Sequence, residues 1–333
     1  MPRSQQQTLP KWLITVPLLL LTLGILITTL PFTLIAAFLI SLLPAYRGAV
    51  RALLFLLCFV VCEVAGVVIS AVLWLRYRAN QQEFISANYK LQYGWSAALM
   101  NCARKVFGLS FHVHNSEALD GPAVLMLPRH ASIADTVLPM TYYAIPQNIP
   151  LRYVLKKELQ WDPCLEIVGN RLPNYFVDRL SQNSDEEVAR VVALLEDTPP
   201  EEGLLLYPEG TRFSASKHHQ LTAKASANPD SELAQQLGRW PKLLPPRLGG
   251  CLGLLSANKH HDLLFFAHSG FEGSANFVEL MNGSWSHSEI HLEFWRVPYA
   301  DIPIGAAEQK EFLFEQWDKM HDTVERLERL RGV

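Results

Sequence analysis

The sequence predicts an α/β protein: a mixed, largely parallel sheet flanked by helices, carried on an N-terminal membrane-embedded helical hairpin. Three observations lead there. Two long apolar stretches open the chain, with no charged residue from Trp12 to Pro44 and only Glu63 from Ala52 to Leu75. Short apolar runs then alternate with amphipathic, helix-period segments, as strand–helix–strand units do. Several of those runs are continuously apolar rather than alternating, which suits strands covered on both faces.

A spanning helix needs about 20 apolar residues, and both opening stretches meet that. A cleaved signal peptide would have a much shorter apolar core and is excluded. Pro17 and Pro31 leave two readings of the first stretch. Either one long tilted helix crosses the bilayer, or the chain turns near Pro31 and only dips in. Pro44 to Arg51 makes a short turn into the second helix. Basic residues flank every piece, with Arg3 and Lys11 before, Arg47 and Arg51 between, and Arg76 and Arg78 after. This near balance says little about orientation, but a hairpin puts the N-terminus and the C-terminal part on one side. Glu63 is costly inside a span and reads either as functional or, more plainly, as a protonated or helix-paired carboxyl. The expected division is residues 1–80 as membrane anchor and 81–333 as the working domain.

Beyond the anchor, Tyr89 to Phe107 has Trp95, Leu99 and Val106 on one helical face. Strand-like runs follow at Phe111–His114, Ala123–Leu127, Tyr153–Leu155, Tyr175–Val177, Gly203–Tyr207, Leu263–His268 and Ile290–Val297. Ser184–Glu196 reads as a helix, because Asp185, Glu186 and Glu187 favour its N-terminus and Val188, Val191, Val192 and Leu195 share a face. Ala307–Leu330 is the closing helix. The polar stretch Ser214–Ser231 reads as a loop or the start of a helix over the site.

Composition narrows the function classes. The 29 basic and 32 acidic residues give a formal charge of −3, without the basic balance that phosphate backbones select, so no nucleic-acid partner is expected. The five cysteines form no paired ligand motif, and two of them, Cys58 and Cys62, sit four apart in the second apolar stretch. They read as packing residues in a reduced compartment, with no disulfide framework.

Chemistry concentrates in two segments. The first, Arg129-His130-Ala131-Ser132-Ile133-Ala134-Asp135, follows the buried run Ala123–Leu127. A histidine supplies a base near neutral pH, and a carboxylate can hold its tautomer and stabilise its protonated form. Five residues on a helix turn through about 500°, leaving the pair about 140° apart. The two meet only if His130 ends a strand-to-helix loop and Asp135 enters the first helical turn. A surface histidine and a helix-start aspartate would read the same way, and this pair alone does not decide.

The second segment is Tyr207-Pro208-Glu209-Gly210-Thr211-Arg212. Pro208 marks a strand end, Gly210 permits a sharp bend, Glu209 can accept from hydroxyls, and Arg212 can clamp a phosphate. Arg179 follows another short strand, either as a second phosphate contact or as half of a surface pair with Asp178.

With these residues the chain resembles the glycerolipid acyltransferase family that includes lysophosphatidic acid acyltransferases. Residues 129–135 are similar to the family's Asn-His-x-Ser-x-x-Asp. Lys156-Lys157-Glu158-Leu159, with Trp161 and Pro163, resembles the stretch before its second motif, and Phe176-Val177-Asp178-Arg179 resembles that motif. Pro208 to Arg212 matches its Pro-Glu-Gly-Thr-Arg without change, and Leu244-Pro245-Pro246-Arg247, followed by Gly249, resembles the fourth motif. The likeness runs from about Tyr89 to Val297. Arg129, where the family usually has Asn, departs from it, in a way that bears on the polar framework and headgroup preference more than on the reaction.

The resemblance implies a catalytic pair of His130 as general base and Asp135 as its orienting acid. It implies that Arg179, Glu209, Gly210, Thr211 and Arg212 bind the glycerol-phosphate portion of the acceptor. The acyl donor would be acyl-CoA or acyl carrier protein, with no resident cofactor and no metal. The acceptor would be a membrane lipid, lysophosphatidic acid first, another lysophospholipid or lipid alcohol as the alternative. The acceptor would attack directly, leaving Ser132 a framework residue. Such a donor places the domain on the cytoplasmic face. Hydrolysis lacks a Gly-x-Ser-x-Gly elbow, and a non-catalytic scaffold sits poorly with the intact His, Asp, Glu and Arg set. His287 and His291 fall in an alternating stretch and are not expected to share a metal. His218–His219 and His260–His261 read as exposed loop pairs.

Overall fold

The computed structural model describes residues 10–181, 183–272, 274 and 278–332; Arg3, one of the flanking cations, lies outside them. Helix α1 (Trp12–Ser41) runs unbroken through Pro17 and Pro31, so the single-long-helix reading holds and the turn at Pro31 does not occur. Thr28, Thr29 and Thr33 donate their hydroxyls to carbonyls one turn back, the kind of local bonding that makes proline tolerable in a membrane helix. Thirty residues reach about 45 Å at about 1.5 Å each, more than the ~30 Å hydrocarbon layer. Helix α2 (Ala49–Tyr77) packs back against α1. Both helices are long and apolar enough to cross a membrane.

Helix α1 touches the domain at the later helix α5 (Pro163–Gly169), and α2 is built into it more deeply. Helix α2 packs on α3 (Gln81–Phe107) and on α5. A Cβ at Gly66 would sit 2.5 Å from Cys164 Sγ, so glycine is what allows this approach. Buried Glu63 accepts from Trp95 Nε1 at 3.0 Å and from the Cys164 amide at 3.1 Å, with Asp162 beside it. The carboxyl is therefore partnered by the domain rather than by its own helix, and packing crosses the division expected at residue 80.

Helix α3 begins eight residues earlier than Tyr89, where the Asn80 side chain accepts from the Glu83 amide. It ends at Gly108, whose φ of 70° closes the last turn. The sheet follows. Its strands are β1 (Ser110–His114), β2 (Val124–Pro128), β3 (Leu151–Lys156), β4 (Tyr175–Val177), β5 (Gly203–Leu205), β6 (Asp262–Ser269) and β7 (Glu289–Val297). The spatial order is β1-β7-β6-β2-β5-β3-β4. Every pairing is parallel except β6 with β7. Thus β6, β2, β5, β3 and β4 run one way, and β7 and β1 run the other.

Between β2 and β3 lies the short helix α4 (Ile145–Gln147). Helices α6 (Ser184–Glu196), α9 (Leu248–Ala257) and α10 (Ala306–Leu330) cover one sheet face around Leu125, Leu204, Phe265 and Trp317. The other face buries Val124, Met126, Leu264 and Phe294 against α3 and the N-terminal half of α2. Helix α7 (Ala215–Ala225) lies in the polar stretch read as a loop or helix start, and α8 (Glu232–Arg239) follows directly after it. Helix α9 was not expected, because its run Leu-Gly-Gly-Cys-Leu-Gly carries three glycines. Those glycines let it lie close on α6: a Cβ on Gly253 would come within 3.0 Å of Val192.

Candidate active site

Parallel strands deliver their C-terminal ends to one edge of a sheet, where open α/β folds bind ligands. Here that edge collects His130 after β2, Lys156 at the end of β3, Arg179 after β4, residues 207–212 after β5 and His268 near the end of β6. Strand β2 is buried throughout and stops at Pro128, which has no amide to extend the ladder. The Arg129 amide makes one last bond, to Phe266 O at 2.9 Å, and the chain turns at His130.

The turn that follows solves the spacing problem. Ile133–Thr136 form one tight helical turn, capped by the Ser132 hydroxyl on the Ala134 amide. This swings Asp135 back, and its Oδ2 accepts from His130 Nδ1 at 2.9 Å and from the amides of Ala131 and Ser132 at 2.6 and 2.9 Å. Its Oδ1 lies 3.0 Å from Nε2 of His268, off the ideal hydrogen-bond direction. Burial opposes the charge on Asp135, but His268 and His130 outweigh it and hold the carboxyl well below its ordinary range. With Nδ1–H committed to Asp135, the lone pair of His130 falls on Nε2.

His130 is itself held low. Burial is the main cause, and Arg212 and Arg179 add to it against the pull of Asp135. Neutral imidazole, the form a base requires, is thus favoured at neutral pH. The ring stacks on Tyr207 at 4.2 Å between centroids, and the Tyr207 hydroxyl donates to Asp135 O at 2.5 Å.

Glu209 is placed differently from expectation. It is only 2% exposed, and its two oxygens accept from the amides of His130 at 2.6 Å and Leu244 at 2.9 Å. Burial raises its carboxyl to about 8. In place of an open acceptor for substrate hydroxyls, it is a strut joining the ends of β2 and β5 to the 240–247 segment. Gly210 adopts φ 66°, and a Cβ there would lie 2.6 Å from the Arg247 side chain. The bend needs glycine on both counts, and its contribution is backbone shape. Thr211 accepts from Lys217 Nζ at 2.6 Å.

A cavity of about 410 Å³ opens over His130, lined by Lys156, Arg179, Thr211, Arg212 and Lys217 among others. Burial and the neighbouring Arg247 and Arg212 depress the Arg179 guanidinium; burial, Arg179, Arg247 and Lys156 depress the Lys217 ammonium. Cations so crowded are poised for an anion. A second cavity, about 230 Å³ and largely apolar, lies between α2, α3 and the Ile133–Val137 turn, with Phe55, Leu99, Met100 and Ala103 in its wall. Thr136 and Arg212 line both cavities, so the apolar one abuts the cationic one beside the base.

Arg129 takes no part in lining either. It is 1% exposed, donates to His268 O and Lys242 O, and lies 3.6 Å from Glu272. It ties the end of β2 to β6 and to the segment that Glu209 also holds. Of the other histidines, His261 is buried and bonds Glu202 O through Nε2, and His218 lies on α7 against Leu237 O. Neither is the exposed loop residue expected. His287 pairs with Arg51, apart from any ligand set with His291.

Comparisons with known proteins match the part of the chain that carries this site. Residues 110–228 match the family model Acyltransferase. This stretch is an acyltransferase-family domain. The acyltransferase domain thus contains His130, Asp135, Arg179 and residues 209–212. The chain is 22% identical over 209 residues to the mouse (Mus musculus) protein 1-acyl-sn-glycerol-3-phosphate acyltransferase epsilon, an alignment of 59% of this chain and 55% of that one. The chain therefore spans about half the length of that relative. The fold is similar to the crystal structure of the 1-acyl-sn-glycerophosphate (LPA) acyltransferase PlsC from Thermotoga maritima. The TM-score is 0.56 at 14% identity, over 86% of this chain and 98% of the other.

Three residues of this candidate site went unread in the sequence as site residues: His268, Lys156 and Lys217. A signal existed for two. His268 is the polar exception in the buried run Leu-Leu-Phe-Phe-Ala-His, and Lys156 sits, like His130 and Arg179, at a strand's C-terminal end. Lys217 reaches the cavity only because Ser214 caps α7 by accepting from its amide.

Proposed function

We propose that this protein transfers an acyl group from acyl-CoA or acyl carrier protein to the free hydroxyl of a lysophospholipid, foremost lysophosphatidic acid, yielding phosphatidic acid. The observation that carries this reading is the place of the His130–Asp135 pair, at the junction of a cationic cavity and an apolar one. An acyl chain fits the apolar side. A phosphomonoester, with its charge and its acceptor oxygens, fits the cluster of Arg179, Arg212 and Lys217.

In this mechanism His130 Nε2 takes the proton from the acceptor hydroxyl as its oxygen attacks the thioester carbonyl. The tetrahedral intermediate collapses, the carbon–sulfur bond breaks, and the leaving sulfur takes that proton from His130. Ester and free thiol result, with no covalent enzyme intermediate. Asp135 fixes the tautomer and stabilises the transient imidazolium. Nothing in the cycle asks for a resident cofactor. Helices α1 and α2 hold the domain at the bilayer that supplies the acceptor, on the cytoplasmic side where the thioester donors are.

The test is acyl transfer by purified, detergent-solubilised protein with labelled acyl-CoA. Lysophosphatidic acid is compared with a panel of other lysophospholipids, and acyl carrier protein with coenzyme A as carrier. Phosphatidic acid as the dominant product supports the reading. Stronger transfer to a neutral or zwitterionic acceptor would move the enzyme to another lipid. Thioester loss at the same rate without any acceptor would make it a hydrolase.

A further inference from the structure

On the sheet face that α10 covers only in part, three imidazoles stack in a row. The parallel register of β1 with β7 sets His112 opposite His291 and His114 opposite Glu293. The His291 ring stacks on His112 at 4.7 Å and on His114 at 5.2 Å between centroids. Glu289, two residues before His291 on β7, points to the same face by strand periodicity. Ligand atoms of His112, Glu289 and His291 lie within 4.8 Å of one another.

The hydrogen bonding of His291 adds an independent indication. Its Nδ1 is engaged by His114 Nε2 at 3.0 Å. Its Nε2 is buried without a hydrogen-bond partner, in a side chain only 7% exposed. A buried imidazole nitrogen left bare is costly. One nitrogen oriented by a second histidine and the other left open is how metal-binding imidazoles are held.

We propose that His112, His291 and Glu289 form a zinc site that staples the edge strand β1 to β7. Two imidazoles and one carboxylate are a common zinc set, and water completes the tetrahedron. Calcium and magnesium ask for more oxygen ligands than one carboxylate offers. His114 is the positioning residue, accepting the Nδ1 proton of His291. The nearby positive charge of Arg331 is offset by Glu272, 2.8 Å away. Strand β1 has β7 as its one neighbour in the sheet, so a bridging ion would resist fraying at this edge. The histidine that His291 needs lies 179 positions earlier in the chain. For that reason the sequence, which set His291 beside His287, led to no metal.

The experiment uses full-length, tag-free protein in detergent, stripped with a chelator and titrated with Zn2+ against a chromophoric competitor. Thermal unfolding is followed in parallel. One Zn2+ per chain with a raised Tm is expected. Stoichiometric binding should vanish in His112→Ala and His291→Ala, and weaken about 10–100-fold in His114→Ala. His112 is exposed, so its variant keeps the test valid if His291→Ala fails to fold. The cysteines remain in every variant and cannot mimic this pattern. No stoichiometric Zn2+ in the wild type, or unchanged affinity in His112→Ala, overturns the proposal.

Discussion

The two cavities that meet beside His130 are built by opposite means. The cationic one is made of single side chains sent from the ends of four strands and from α7, with the strut Glu209 tying the end of β5 to the turn after β2. The apolar one is a gap between packed helices, walled mainly by aliphatic and aromatic side chains. Under the proposed function the first would govern protonation and headgroup, and the second how much hydrocarbon fits. Substitutions on each side separate these roles.

The largest effect belongs to the base they share. His130→Ala should abolish detectable transfer while the melting profile stays near wild type, because the turn is held by the amides of His130, Ala131 and Ser132 rather than by the ring. Full activity in that variant would sink the mechanism. Asp135→Asn should lower kcat by about 10³–10⁴-fold, as loss of the orienting carboxylate does in other histidine-based sites. Amides of Ala131 and Ser132 also point at this carboxylate, so a circular dichroism and melting check belongs with the assay.

On the cationic side, Arg179→Ala should raise KM for a phosphomonoester acceptor by about 10–100-fold, as loss of a charged hydrogen bond would, and hardly affect a neutral one. The same variant carries a pH signature. Arg179 disfavours the protonated imidazole, so removing it raises the pKa of His130. The acid limb of kcat/KM should move to higher pH, and an unmoved or downward limb would show that Arg179 does not act on His130.

How well each half can be read from sequence follows the same contrast. Pro208–Arg212 and the His130–Asp135 segment each lie within a few residues, so turn chemistry and side-chain type already suggested a base, a carboxylate and a phosphate clamp. The largely parallel sheet was legible because buried strands such as Val124–Pro128 are continuously apolar. The apolar cavity was not legible. Ala103 and Leu99 have the periodicity of any core-facing helix, and only the packing of α2 on α3 leaves a space there. Glu209 misled for a related reason. Its charge suggested contact with substrate, but its partners, the amides of His130 and Leu244, come from segments far apart in the chain. His268 was hidden likewise, since its relation to Asp135 exists only through the pairing of β6 with β2.

On the apolar side the expected effects are graded. Ala103, 6% exposed, lines the cavity on α3, and Ala103→Phe would fill part of it. Each methylene kept from burial costs about 0.8 kcal/mol, close to fourfold in kcat/KM. The variant should therefore lose activity progressively with acyl-chain length and keep it for short chains. Headgroup preference and the acid limb should stay where they were. A uniform loss across chain lengths would mean that the chain lies elsewhere. A shift in the acid limb would mean that the two cavities are coupled through Thr136 or Arg212, and the separation of roles would fail.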